Sequence, residues 1–164
     1  MTNIDHFQMR ALGELCTYEN GGTPSKRMDS YWNGNIPWIT SAEISEGSIN
    51  PARSYITELG LLNSATKLVP KGSLLLVSRT GVGKVAITKT DLAFSQDITA
   101  IFPKSGLLDK RYLFRFLSSQ SRYFEKFSRG ATIKGITREV LNRLQIPLPP
   151  LPEQKRIADI LDKA

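Results

Sequence analysis

The sequence predicts an α+β fold: a β-rich domain of short strands with flanking helices, followed by the start of one further helix. Three observations carry this. Runs such as IPWIT, SYIT, LLLVS, KVAIT and ITAIF are rich in β-branched and aromatic residues and set off by Gly, Pro, Asn and Ser, the mark of strands joined by tight turns. From Asp109 the apolar period changes, placing Leu113, Phe116, Leu117, Phe124 and Phe127 three, four or seven apart. Near residue 147 a proline-stiffened connector opens onto a last amphipathic stretch.

In chain order, a short apolar element, ALGELC, leads into a Gly-Gly-Thr-Pro turn, a polar loop and a strand at Ile36–Thr40. Trp32 and Trp38 read as core anchors rather than base-stacking platforms, since Trp38 lies within the apolar run IPWI. SYIT, a polar stretch to KLVPKG, the pair LLLVS and KVAIT, and a strand at Ile98–Phe102 complete the β-rich part. The 109–127 stretch reads as one amphipathic helix with a basic outer face, N-capped by Asp109. After a glycine-framed loop, GATIKGI, Thr137 caps a short helix that ends before Ile146-Pro147. In the last helix Pro152 takes the first turn, and Ile157, Ile160, Leu161 and Ala164 share one stripe. A helix of 13 residues, about 20 Å long, is marginal in water unless it packs. Either it docks on its own domain, or the chain is the front part of something longer. The expected division is a domain over 1–146, then connector and helix over 147–164.

A chain of 164 residues, 40% hydrophobic, buries a core without disulfides or metals. No run approaches the ~18 apolar residues of a membrane span, and the start MTNIDHFQMR is too polar for a signal peptide. The single cysteine, Cys16, excludes an internal disulfide and fits a reducing cytosol; beside Leu15 it reads as a small buried hydrophobe. A cytoplasmic location and no membrane partner are expected. The net charge of +7 is localised: Lys104 to Arg143 holds ten basic residues against three acids, while the other residues hold twelve of each sign. Such a segment points to a polyanion partner, or to a helical face kept soluble by its cations.

The stretch SRTGVGKVAIT contains Gly83-Lys84 after a glycine-bearing loop, which raises the question of a phosphate cradle. Its register is wrong: Ser78 stands where a P-loop needs its first glycine, and Val85 where it needs Ser or Thr. KVAIT also reads as strand, so the stretch is a hairpin with Arg79, Thr80 and Lys84 at its tip. Other chemistry is sparse. His6 is the only histidine, so Ser-His, Cys-His and His-ligated metal sites lack partners. Asp91, Asp97 and Asp109 show no spacing that commits them to one face, and Leu148 and Leu151 flank Pro149-Pro150 where a DNA amino-methyltransferase loop needs a polar residue and an aromatic. No active site is read, and no catalytic residue or metal ligand is assigned.

Four motifs in order, GGTPSKRMDSYWNGNIPWITSAEIS, ITELGLLNSATKLVPKGSLLLVSRTGVGKVAI, FSQDITAIFP and SRGATIKGITREVLNRLQIPLPPLPEQKRIADIL, resemble the target-recognition domain of type I restriction-modification specificity subunits. The resemblance runs from Leu12 to the end. It departs at Ser95-Gln96, where many members have Asn-Gln, and in the order of small residues at the hairpin tip. It implies a non-catalytic protein that reads one part of a bipartite double-stranded DNA sequence and positions methyltransferase and restriction/translocase subunits on it. S-adenosylmethionine, ATP and Mg²⁺ would be bound by those partners, so no cofactor is expected here. The last helix would begin a spacer, pairing with a second recognition half or a second copy through Ile157, Ile160, Leu161 and Ala164.

On that resemblance the hairpin tip faces DNA, with Arg79 reading a guanine edge and Lys84 holding a phosphate. Thr80, the loop residues Thr23, Ser25, Lys26 and Arg27, Gln96, and Thr132 with Lys134 in GATIKGI join them as groove or backbone contacts. Lys110, Arg111 and Arg122 are phosphate contacts or serve helix solubility. For each loop residue, turn geometry alone is the competing role. A module binding an acidic protein through the basic face and the Pro-Pro helix is the competing function.

Overall fold

A computed structural model of the chain describes residues 7–128 and 135–164. Its strands are β1 (Met9–Ala11), β2 (Cys16–Asn20), β3 (Trp32–Ile39), β4 (Ile44–Ser45), β5 (Ser48–Ile49), β6 (Ser54–Ile56), β7 (Lys67–Val69), β8 (Leu74–Val77), β9 (Val85–Ile87), β10 (Leu92–Phe94), β11 (Ile98–Pro103) and β12 (Gln145–Pro147). Its helices are α1 (Leu12–Leu15), α2 (Glu58–Leu62), α3 (Lys110–Ser118), α4 (Ser121–Glu125), α5 (Arg138–Arg143) and α6 (Leu151–Asp162). The α+β expectation holds, with many short strands and helices at their flanks.

Four successive residues of β8, Leu74 to Val77, are each 0% exposed. A strand with no polar face needs cover on both sides. The sheet β2-β11-β8-β9 supplies the reason. Leu74, Leu76, Val85 and Ile101 face a core built with Leu12, Leu113, Leu117, Phe124 and Leu141 from the helices. Leu75, Val77, Ala86 and Ala100 face the second sheet, β6-β3-β10-β7, through Ile39, Val69 and Phe94. The far side of that sheet carries Trp38, Ile56 and Ala93, with Trp32, Ile36 and Leu61 against them.

The expected hairpin is present: β8 and β9 pair antiparallel, Leu76 opposite Val85. Because a strand rather than a helix follows Lys84, the phosphate-loop context is missing there. Several elements went unread in the sequence, among them the strands β1, β2, β4, β5 and β12. Helix α2, capped by Thr57, lies in what reads as a polar stretch; β7 and β10 are three residues each, and β10 pairs parallel with β3.

The single helix expected over 109–127 is two. Asp109 caps α3 as predicted, accepting from the N–H groups of Arg111 and Tyr112, but the chain turns at Ser119-Gln120 before α4. Ser118 and Ser119 turn their hydroxyls onto the carbonyls of Phe114 and Phe116, at 2.8 and 2.6 Å, a local competition that weakens a helix end. The break seats Phe124 fully in the core. Thr137 caps α5 through the Val140 N–H, and Pro152 lies in the first turn of α6.

The boundary expected at 146/147 falls inside β12, which pairs with β1 through Ile146 and Pro147. α6 docks on the domain, one of the two alternatives expected, and it does so mainly through a face beside the apolar stripe. Gln154 and Ala158 are 0% exposed and Ile157 packs partly on the core, whereas Ile160 and Leu161 stand 54% and 41% exposed and Ala164 is exposed. Ion pairs join Arg111 and Arg115 of α3 to Asp159 and Asp162 of this helix. No helix among the described residues is long and apolar enough to cross a membrane.

Candidate nucleic-acid interface

Four segments far apart in sequence converge at one end of the two sheets: the loop after β2, the β8–β9 turn, the β10–β11 loop and the start of α5. Backbone hydrogen bonds fix their positions. In the first, Gly21 and Gly22 enter between Phe94-Ser95 and Ala65-Thr66; a Cβ on Gly21 would lie 2.2 Å from the Ser95 carbonyl oxygen, so no larger residue fits. The indole N–H of Trp38 donates to the Gly22 carbonyl at 3.1 Å, and that of Trp32 to the Ser25 carbonyl at 3.0 Å. The two rings meet edge to face, 5.3 Å apart. Trp38 is therefore a core anchor, as read, while Trp32 is half-buried against it, and the polar edges of both hold the 21–27 loop.

The β8–β9 turn is held from two sides. The N–H groups of Ser78 and Arg79 both donate to the Asp97 carbonyl, at 2.8 and 3.2 Å, and the Ile136 N–H donates to the Ser78 carbonyl at 2.8 Å. Thr80 takes φ 56°, in the left-handed region, followed by Gly81 at 94° and Gly83 at 100°. A β-branched residue there stores backbone strain, which persists only where neighbours impose it. Gly135 is equally constrained: a Cβ would lie 2.1 Å from the Ser78 carbonyl oxygen. Thus the second glycine of GATIKGI lets the chain lie against the turn.

Between these segments opens a cleft of about 780 Å³, whose lining includes Asn20, Arg79, Thr80, Gln96, Thr99 and Arg138. The Thr23 hydroxyl donates to the Gln96 side-chain carbonyl at 2.5 Å. Arg79 sits 3.9 Å from the Asp97 carboxylate. Lys84 is exposed and folds its ammonium back beside Gly81. Thr23, Arg79, Thr80, Lys84 and Gln96 are thus brought together from three loops. Ser25 and Arg27 are exposed on the tryptophan-held loop, and Lys26 lines a separate hollow with Asp29 and Asn33. Thr132 and Lys134 lie outside the described residues.

The helical cations are placed differently. Lys110 donates its ammonium to the Gly72 carbonyl, and Arg111 pairs with Asp159 at 2.7 Å and Asp162 at 3.3 Å. Arg115 pairs with Asp162 at 2.7 Å, and its hydrogen bond is the main cause holding that carboxyl below the usual aspartate range. Part of the charge surplus in 104–143 is therefore engaged inside the chain; Arg122 stays exposed on α4.

Sequence reading missed Asn20, Thr99 and Arg138. Arg138 is exposed at the first position of α5, its guanidinium 6.0 Å from the Tyr18 ring centroid and 3.4 Å from the Tyr18 carbonyl. A cation at a helix N-terminus opposes the helix dipole. That placement, directly after the capping Thr137, is the signal by which the sequence could have disclosed it. Cys16 is buried as read, and burial pushes its thiol up to about 12.

A β-rich domain whose loops gather arginine, amide and hydroxyl groups round an open cleft, and which ends on a docked helix, is a recognition module in form. Residues 4–164 match the family described as type I restriction modification DNA specificity domain, and the chain belongs to that family. It is 34% identical over 163 residues to the Type I restriction enzyme EcoR124I/EcoR124II specificity subunit of Escherichia coli, covering 95% of this chain and 40% of that protein. It is 33% identical to the MjaIX specificity subunit of Methanocaldococcus jannaschii, covering 96% and 37%. Among solved structures, a chain of a type I R-M system superposes with a TM-score of 0.77 at 26% identity, covering 96% of this chain and 37% of that one. The HsdS subunit from Thermoanaerobacter tengcongensis shares the fold, with a TM-score of 0.73 at 24% identity and the same coverage. The chain spans about two fifths of the length of these relatives.

Proposed function

We propose that this chain reads one half of a bipartite double-stranded DNA site as the specificity component of a type I restriction-modification assembly, without catalysis of its own. The observation that carries the reading is the convergence of Arg79, Gln96 and Arg138 on one cleft, with Thr23 hydrogen-bonded to Gln96, in a chain of this family. Arginine forks and side-chain amides are the groups that read base edges in the major groove, and Lys84 beside them suits a phosphate oxygen. Methyltransferase and restriction/translocase subunits, and a second recognition half, are the proposed partners; they would bring S-adenosylmethionine, ATP and Mg²⁺. Methylation mapping across the source genome, with and without this gene, tests the reading. Loss of one methylated motif on deletion is expected; an unchanged methylome would overturn it.

A further inference from the structure

Gln154 is 0% exposed at the end of the first turn of α6, and three of the four hydrogen-bonding positions of its amide are taken by backbone groups. Its side-chain oxygen accepts the Asp109 N–H at 2.8 Å. Its NH₂ group donates to the Leu107 carbonyl at 3.0 Å and the Pro149 carbonyl at 2.9 Å. Because one end meets a donor and the other meets two acceptors, only one orientation of the amide satisfies the site. Hydrophobic packing of similar size would leave three backbone groups without these bonds, one of them buried, so a glutamine here specifies geometry rather than only filling space.

Further along the same helix Ala158 is 0% exposed, and Asp159 and Asp162 pair with Arg111 and Arg115 of α3. From Gln154 to Asp162 the contacts extend along about 12 Å of helix axis. Two separated points of attachment set a direction. The ion pairs are partly exposed and screened by salt, whereas the amide lies in a low-dielectric interior where its bonds persist.

We propose that Gln154 is a positioning residue that fixes the direction in which α6 leaves the domain, so that cleft and helix behave as one rigid body. Its functional consequence rests on the reading of α6 as a spacer; the geometry does not. In an assembly that reads a bipartite site, this rigidity would set the distance between the two cleft positions.

Two measurements on this chain test it without DNA. The Asp109 amide, which donates to the Gln154 side chain, should exchange with solvent at least about 100-fold slower than in an unstructured peptide. Spin labels at Thr90→Cys and Lys163→Cys, both exposed sites, should give a narrow distance distribution that widens at least twofold in Gln154→Leu, while amide spectra of the sheets stay unchanged. Cys16, buried and with its thiol pushed up to about 12, should not take label. An unprotected Asp109 amide, or a distribution as narrow in Gln154→Leu as in the parent, overturns the proposal. Should Gln154→Leu not fold, the amide measurement on the unaltered chain decides alone. Duplex affinity of the isolated chain should survive Gln154→Leu, so a failure of DNA reading stays distinguishable from a failure of the latch.

Discussion

The guanidinium of Arg111 lies 2.7 Å from the carboxylate of Asp159, joining α3 to the terminal helix across 48 residues of sequence. A cation so engaged contributes little to attracting a polyanion. Arg111→Ala should therefore leave the slope of log affinity for duplex DNA against log salt unchanged, where a phosphate contact would flatten it by ~0.9. A flattened slope in a salt titration would return Arg111 to the DNA-facing surface.

The same seam predicts a pH response. Asp162 is held below its ordinary value of 3.8, chiefly by the hydrogen bond from Arg115. A carboxyl whose folded value is depressed stabilises the docked helix above the unfolded value, and loses that contribution as pH falls through the folded one. α6 should stay docked at neutral pH and loosen only on the acid side of the ordinary aspartate range. Carbon-13 titration of the Asp162 carboxyl checks this; a midpoint at or above the ordinary value would contradict it.

At the cleft, Arg79→Ala should cost about 1–3 kcal/mol of discrimination between cognate and scrambled duplexes, the range for a bidentate base contact. Lys84→Ala should weaken both duplexes alike. Competition binding separates the two, and equal losses on both duplexes for Arg79→Ala would make it a phosphate anchor.

Trp38→Phe keeps an aromatic ring but removes the N–H that satisfies the Gly22 carbonyl. Leaving that buried oxygen unpaired should cost about 1–3 kcal/mol of stability, and looser seating of the 21–27 loop should weaken cognate binding. Denaturant unfolding and duplex titration measure the two effects; unchanged stability would show that the hydrogen bond is dispensable.

For the terminal helix, Ile160 and Leu161 are the pair to change, since Ile157 is partly engaged with the core. In a chain continued along α6, Ile160→Asp with Leu161→Asp should abolish assembly with a second copy or second half, while circular dichroism shows the domain folded. Normal assembly in sedimentation would refute the spacer assignment.

The sequence by itself determined several local elements and where they start. Turn chemistry and β-branched runs place the β8–β9 hairpin, Asp109 and Thr137 announce helix starts, and Pro152 marks the first turn of α6, because each depends on residues within a few positions. Family membership was legible for the same reason, from ordered short motifs. Tertiary structure decided what those motifs touch. Thr23 meets Gln96 across 73 residues and Arg111 meets Asp159 across 48, and no periodicity encodes such separations. The basic segment reads as a free cationic face until Asp159 and Asp162 are brought against it. The stripe on α6 likewise reads as one surface until Gln154 and Ala158 turn a neighbouring face inward. Burial and pairing at long range are properties of the packed chain, where one side chain's partner is set by the path of all the residues between.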